Sequence, residues 1–546
     1  MLNDWTQTLL FLLGLCSGVI FILHRTRRYL HYFQQEDYTP HRFFRWLTGN
    51  KSFDTRGWTT ALAVLAGALL VEGITGRWFY FFGALALHAW VRFEGDPRKT
   101  GRKPLVRTPR AKRIERTALL FNLVLLAAIM ALLHYGLQLN VLASLWVAQL
   151  MCHPVCPLLL TLAVRVLQPH EQRLQRQLKD EAVERLRAVA PIVIGVTGSY
   201  GKTSTKSILA GLLTQALEPA FAPPKSINTT MGITREIRVT LSALHRYAVF
   251  EMGAYTKGSI AGLCEFVRPT AGIVTTVGVM HLERFGTHEN VYQAKSELAR
   301  SLPDDGILVC NGDDAGARRI AAEFPKKTTL LYGFEDTGDL DCLASDLLMN
   351  DKGIAFQLHW KGAVYPVQTC MFGKNAVSNM LGAFTMACAL GAEPFYTAAV
   401  LANIEPVDNR LSLTKSKKMS FLNDAYNSNP KGFMDALDVL EQYPAKDKIL
   451  VTPGMIELGP CQEEENRNVA QRAARICSRI LLVESVNRAT WARALLEGGM
   501  PESAVVVHES MPAALKALEE YASREAPPIV LLENDLSDIH EAPKRF

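Results

Sequence analysis

The stretch GVTGSYGKTSTK, residues 195–206, gathers the residue types that hold phosphate. Gly198 and Gly201 let a backbone approach a ligand closely, Ser199 and Ser204 complete the loop, Lys202 can reach β- and γ-phosphates, and Thr203 can ligate magnesium. The spacing is not the commoner Walker pattern. Val196 stands six residues before Lys202, where that pattern has glycine, leaving a shorter GxxGKT form. Such a loop suits reactions at a terminal phosphate, where positive charge must be massed around crowded oxygens.

Phosphate loops need a strand before them and a helix after them, and both are present here as IVIGVT and KTSTKSILAGLLTQAL. Beyond Pro191 short β-rich runs (YAVFEM, AGIVTTV, ILVCNGD, then KILVTPG, RILLVES, AVVVHES and PIVLLEN) alternate with helical stretches. That alternation predicts parallel sheets covered by helices. A break near residues 402–410 divides two α/β units, a central ATP-binding domain over 191–402 and a Rossmann-like domain over 403–546.

The first part of the chain has a different character. Apolar runs at 5–23, 59–71, 78–91, 117–137 and 141–167 predict a multi-pass membrane region with about five helices, although the second and third are short and the fifth is interrupted by Pro154 and Pro157. No small-residue cleavage site follows the first run, and HRTRRYLHYF puts positive charge on its C-terminal side, as in a retained anchor. Residues 24–57 carry seven Lys/Arg against three Asp/Glu, and residues 92–116 carry ten against three. These basic loops follow the first and third runs, so the positive-inside rule puts them, and everything after residue 167, in the cytoplasm. A cytoplasmic membrane is the expected location. Residues 168–190 read as an amphipathic connector lying at the membrane surface or against the catalytic part.

The whole chain is +6, less than the two basic stretches together, so the remainder is net negative and nucleic acid is not an expected partner. Anionic membrane lipid is. The ten cysteines lack the spacing of a disulfide framework or zinc ribbon; CHPVC, residues 152–156, lies in an apolar run and reads as membrane packing before it reads as a metal cluster.

Seven motifs occur in an order that resembles the Mur ligases, ATP-dependent amide-forming enzymes of peptidoglycan precursor synthesis: TGSYGKTSTK, NTTMGIT, FEMGA, HLERFGTHENVYQAKSEL, NGDD, DAYNSNP and GMIELG. The resemblance spans about residues 192–459 and is strongest to the D-alanyl-D-alanine-adding members. It implies ATP and Mg2+, with Thr203 and Glu251 as ligands of one ion and His281 as a second metal-site ligand. It also implies that Lys295 matches a lysine carbamylated in several members. Lys202, His281, Lys295 and Arg410 would then be the catalytic set. FGKNAVSNM is similar to an HNxxN-type segment, with Lys374 where histidine is usual, and it makes Asn375 the adenine-side candidate. Arg410 would reach the γ-phosphate, while Asp424, Tyr426 and Asn427 would face the nucleotide, with Asp424 on a ribose hydroxyl. Thr229 stands at the usual second asparagine of the Asn228–Gly232 segment.

Two departures bear on substrate. Nothing in residues 1–190 reads as a uridine-binding fold, and the KGS-type segment with its following arginine appears as LLENDLSDIHEAPKRF. The resemblance therefore implies a membrane-anchored, ATP-dependent, ADP-forming carboxylate–amine ligase. Its amine would be an amino acid or dipeptide and its acceptor a nucleotide- or lipid-linked envelope precursor, with D-Ala-D-Ala addition as the leading expectation. The alternatives are a ligase building a polyamide such as poly-γ-glutamate and a membrane scaffold or transport protein with a regulatory ATP-binding module.

Overall fold

The computed structural model describes residues 2–36, 38–49, 76–94, 105–254, 256–278, 285–407, 410–425, 428–456, 458–523 and 526–534. The chain divides into a helical unit, Met1–Leu174 with Leu536–Phe546, and an α/β unit, Gln175–Asp535.

The helical unit holds α1 (Leu2–Gln35), α2 (Pro40–Gly49), α3 (Gly76–Glu94), α4 (Pro109–Ala131), α5 (Val141–Cys152) and the first part of α6 (Cys156–Val189); all but α2 follow the apolar runs. Among the described residues three spans are long and apolar enough to cross a membrane: Trp5–Gln35, Pro109–Gly136 and Val141–Val189. The run at 78–91 falls within α3, and the run at 59–71 lies outside the described residues. Large apolar side chains such as Leu9, Leu12, Leu120, Val124, Leu158 and Leu162 remain exposed, which lipid would tolerate and water would not. Pro154 sits in a 3-10 turn, His153–Val155, between α5 and α6. The CHPVC segment packs: Cys156 donates to Asn122 Oδ1 at 3.2 Å, the His153 ring lies 5.1 Å from that of Phe21, and no metal-holding cluster occurs among the described residues.

The first sheet of the α/β unit holds β1 (Ile192–Thr197), β2 (Ala220–Phe221), β3 (Tyr247–Glu251), β4 (Ala271–Val274), β5 (Ile307–Asn311), β6 (Thr328–Gly333), β7 (Cys342–Asn350), β8 (Gly353–Trp360) and β9 (Ala363–Thr369). Its order is β2-β3-β1-β4-β5-β6-β7-β8-β9. Through β7 neighbours run parallel, but β7-β8-β9 is an antiparallel meander, an extension of the purely parallel sheet expected from sequence. Helices α7 (Lys202–Ala216), α8 (Thr230–Thr240), α9 (Ser259–Val267), α10 (His288–Ser301), α11 (Ala315–Glu323), α12 (Lys374–Ala389) and α13 (Pro394–Ala402) complete this layer. Successive β1 side chains point to opposite faces: Ile194 and Val196 pack with Ile208 and Leu381, and Val193 packs with Leu263 and Leu298. The end of α6 joins the second of these cores through Ala182 and Leu186, and Arg185 Nε donates to the Leu241 carbonyl at 2.7 Å. From Gln175 onward the connector belongs to the α/β unit.

The second sheet, β10-β11-β15-β12-β13-β14, consists of β10 (Ser412–Lys415), β11 (Ser420–Asp424), β12 (Lys448–Thr452), β13 (Arg479–Val483), β14 (Val505–His508) and β15 (Ile529–Glu533). All neighbours are parallel except β10 with β11. Its helices are α14 (Pro430–Gln442), α15 (Gln462–Ile476), α16 (Arg488–Glu497) and α17 (Met511–Ala517).

Candidate active site

The C-terminal ends of β1 and β3 lie side by side, with Val196 opposite Glu251, so the glycine loop and a carboxylate leave the sheet together. Gly198 has φ of 149° and Gly201 has φ of 78°. At Gly201 the backbone conformation favours glycine, and a Cβ there would also meet Asn379 Oδ1 at 2.2 Å. Thr205 donates to that same oxygen at 3.1 Å, which ties α7 to α12 behind the loop. The Lys202 ammonium folds back and donates to the carbonyls of Gly198 at 2.8 Å and Ser199 at 3.1 Å. Burial lowers its pKa, with Glu251 opposing that shift.

Glu251 is 2% exposed. Thr203 Oγ1 donates to one of its oxygens at 2.7 Å, and Asn228 Nδ2 donates to the other at 3.0 Å. A buried carboxylate beside a hydroxyl, held by neutral donors and faced by lysines, is a hard oxygen set that suits magnesium. Thr203 and Glu251, hydrogen-bonded to each other, would supply oxygen donors of the type such an ion takes. Lys295, on α10 and 3% exposed, lies close enough for Lys202 and Glu251 to act on its charge; burial, then Lys202, pushes its amine well below the usual lysine range. His281 lies outside the described residues.

Beside the loop a cavity of about 670 Å³ is lined by Gly201, Ser204, Asn375, Asn379, Arg410 and Asp424 among others. Residues from both sheets' domains meet there. Arg410 acts as a like charge on Lys202 and as an opposite charge on Asp424. Asp424 accepts from the Leu411 N–H at 3.2 Å, and burial raises its pKa.

Residues 196–387 match the Mur ligase middle domain, and residues 409–532 match the Mur ligase glutamate ligase domain. The chain belongs to the Mur ligase family. UDP-N-acetylmuramoyl-tripeptide–D-alanyl-D-alanine ligase of Mycobacterium bovis is 32% identical over 56% of this chain and 61% of its own length. The Escherichia coli protein of the same name is 29% identical over 52% of this chain and 62% of its own. The matches thus span about three fifths of these relatives. Among solved structures, MurF ligase from Thermotoga maritima in complex with ADP superposes with a TM-score of 0.58 at 24% identity, covering 66% of this chain and 80% of that one. Folylpolyglutamate synthase of Mycobacterium tuberculosis complexed with ADP gives 0.52 at 12% identity, over 67% and 95%. At these identities the superpositions speak to fold.

In this member of the family Lys202, Thr203, Glu251 and Lys295 gather at the glycine loop, and Ser204, Asn375, Arg410 and Asp424 line the cavity beside it. Ser199 is tied into the loop, donating to and accepting from the backbone of Gly278 at 3.1 and 2.9 Å. Asn427 and Tyr426 lie outside the described residues.

Three contributors escaped sequence reasoning. Lys206, fully buried, donates to the carbonyls of Pro223, at 2.6 Å, and of Lys225, holding the segment that delivers Asn228 to Glu251. Asp435 accepts from the backbone N–H groups of Lys374 and Asn375, at 2.9 and 3.0 Å, capping α12 from α14. Glu533, fully buried, stands opposite Asp424 in register and accepts from Ser428 Oγ at 2.6 Å. An acid among the buried Phe433, Ala436 and Leu437 of α14 was a usable signal for Asp435.

Proposed function

We propose that this protein is a membrane-anchored, ATP-dependent, ADP-forming carboxylate–amine ligase that adds D-Ala-D-Ala to a peptidoglycan precursor, with its α/β unit in the cytoplasm. The observation that carries the reading is the convergence of Lys202, Thr203, Glu251 and Lys295 at one loop, which opens into a cavity shared with Arg410 and Asp424. The relatives named UDP-N-acetylmuramoyl-tripeptide–D-alanyl-D-alanine ligase support the choice of amine.

In the proposed reaction a carboxylate oxygen of the acceptor attacks the γ-phosphorus, the bond to ADP breaks, and an acyl phosphate forms. The amine nitrogen then attacks the acyl carbon, loses a proton, and displaces inorganic phosphate. Lys202, at the glycine loop, and Arg410, on the cavity wall, neutralise the oxygens that gain charge. Magnesium held by Thr203 and Glu251, with His281 completing the site, would draw further charge from them. Asn375 and Asp424 hold the adenosine end. Lys295, buried and biased to the neutral amine, is suited to take up carbon dioxide, its nitrogen bonding to carbon with loss of a proton; the resulting carbamate would add oxygen ligands.

The test is to supply purified full-length protein with ATP, Mg2+, D-Ala-D-Ala and either UDP-MurNAc-tripeptide or a lipid-linked muropeptide. Expected are one phosphate released per amide formed and a product heavier by one dipeptide less water. Phosphate release without amide formation, or amide formation only with a growing glutamate polymer, overturns the D-Ala-D-Ala reading. Activity of the protein in cells that survives Lys202→Ala would place it among scaffolds instead.

A further inference from the structure

Helix α4 opens with Pro109, Arg110, Ala111, Lys112 and Arg113, and its first turn contains no acid. A helix N-terminus is already the positive end of the macrodipole, so cations crowded there repel it and one another unless an anion joins them. Arg113 has a local answer, a two-pronged pair with Glu171 at 2.5 and 2.9 Å. Two arginines from outside that turn share a single carboxylate within the helix. Arg27, from α1, reaches Glu115 Oε1 at 2.8 Å, and Arg107, just before α4, reaches Oε2 at 3.5 Å.

The cluster is built rather than loose. The Gln34 side chain donates to the Val106 carbonyl and accepts from the Val106 N–H, both at 2.9 Å, which clips the segment before α4 onto α1. The same amide donates to the Tyr38 hydroxyl at 2.9 Å, and the Arg110 guanidinium lies 4.4 Å from the centre of the Tyr38 ring. Arg110 Nε is buried and donates to no described group. Two guanidinium groups share one carboxylate, and a third, Arg110, stacks on Tyr38 with no acid paired to it among the described residues, so positive charge is in excess. These groups stand at the start of an apolar span, Pro109–Gly136, whose Leu120 and Val124 are exposed.

We propose that Arg27, Arg107 and Arg110 form a binding site for the phosphate head of an anionic membrane lipid at the N-terminus of α4. Guanidinium forks match phosphate oxygens in geometry as well as charge. The apolar span beneath them gives acyl chains a place to lie, which a soluble phosphate would not use. The site stands independently of the ligase reading, because its residues belong to the helical unit alone.

Full-length protein in neutral detergent would be titrated with phosphatidylglycerol, phosphatidylcholine or inorganic phosphate, and retained ligand read by native mass spectrometry. Expected is retention of phosphatidylglycerol, with at least tenfold weaker retention by the double variant Arg107→Gln/Arg110→Gln and little retention of phosphatidylcholine. Lys112→Gln, which alters charge nearby but outside the cluster, should bind as the wild type does. Equal retention by wild type and double variant overturns the site. So does an equal loss in Lys112→Gln, which would mean diffuse attraction, or displacement of the lipid by millimolar inorganic phosphate, which would mean a free-anion site. An unchanged unfolding temperature of the double variant separates lost binding from lost folding.

Discussion

Asp435 accepts the backbone N–H of Asn375 at 3.0 Å, so a carboxylate of one α/β domain caps a helix of the other at the wall of the shared cavity. Removing the carboxylate leaves N–H groups at the start of α12 without their acceptor. Asp435→Ala should cost about 1 kcal/mol of stability, the usual worth of a lost N-terminal cap. It should also weaken binding of a non-hydrolysable ATP analogue several-fold, which calorimetry would read. Unchanged nucleotide affinity would separate the cap from the cavity.

The same carboxyl makes stability depend on pH. Burial lifts Asp435 from its ordinary 3.8 to about 6. The folded protein therefore binds this proton more tightly than the unfolded chain does. The resulting stabilisation is full below about pH 4 and is lost as pH rises through about 6, amounting to at most about 3 kcal/mol. Thermal unfolding of wild type minus Asp435→Asn, followed from pH 4 to 8, should show this component falling with rising pH. A flat difference would contradict it.

Lys202→Ala should abolish phosphate release while leaving the fold intact, since the lysine's hydrogen bonds go only to its own loop. Glu251→Gln keeps the shape but removes the charge that suits a cation. It should raise the Mg2+ concentration needed for half-maximal phosphate release by tenfold or more; a normal magnesium curve would exclude Glu251 as a ligand.

Lys206→Met deletes a buried cation that clamps two backbone carbonyls. About 2 kcal/mol of stability should be lost, in line with hydrogen bonds made by charged groups. Because the clamped segment carries Asn228, the magnesium requirement should rise with it, although the Lys206 ammonium is hydrogen-bonded to neither Glu251 nor Thr203. Loss of stability with an unaltered magnesium requirement would assign Lys206 to the fold alone.

The glycine loop was legible because strand, turn and helix are contiguous in sequence and each leaves a local signature. Glu251 and Lys295 were reached through motif order, and the structure brings both to Lys202. Asp435 and Glu533 were not legible. Asp435 meets Asn375 across 60 residues, Glu533 meets Ser428 across 105, and no local pattern reports such pairings. The β7-β8-β9 meander was missed for a different reason. Its strands alternate buried and exposed side chains, a weaker signal than the apolar runs of the central strands, and its edge strand carries Pro366.

Lys202 bound to the carbonyls of its own turn has a consequence for turnover. In the proposed cycle an arriving phosphate does not meet a bare cation; it competes with two oxygens already in place, and part of its attraction goes into freeing them. When product leaves, those carbonyls would again be at hand for the ammonium. The glycine turn would thus act as an internal leaving aid, giving up some grip on ATP in exchange for faster discharge of ADP.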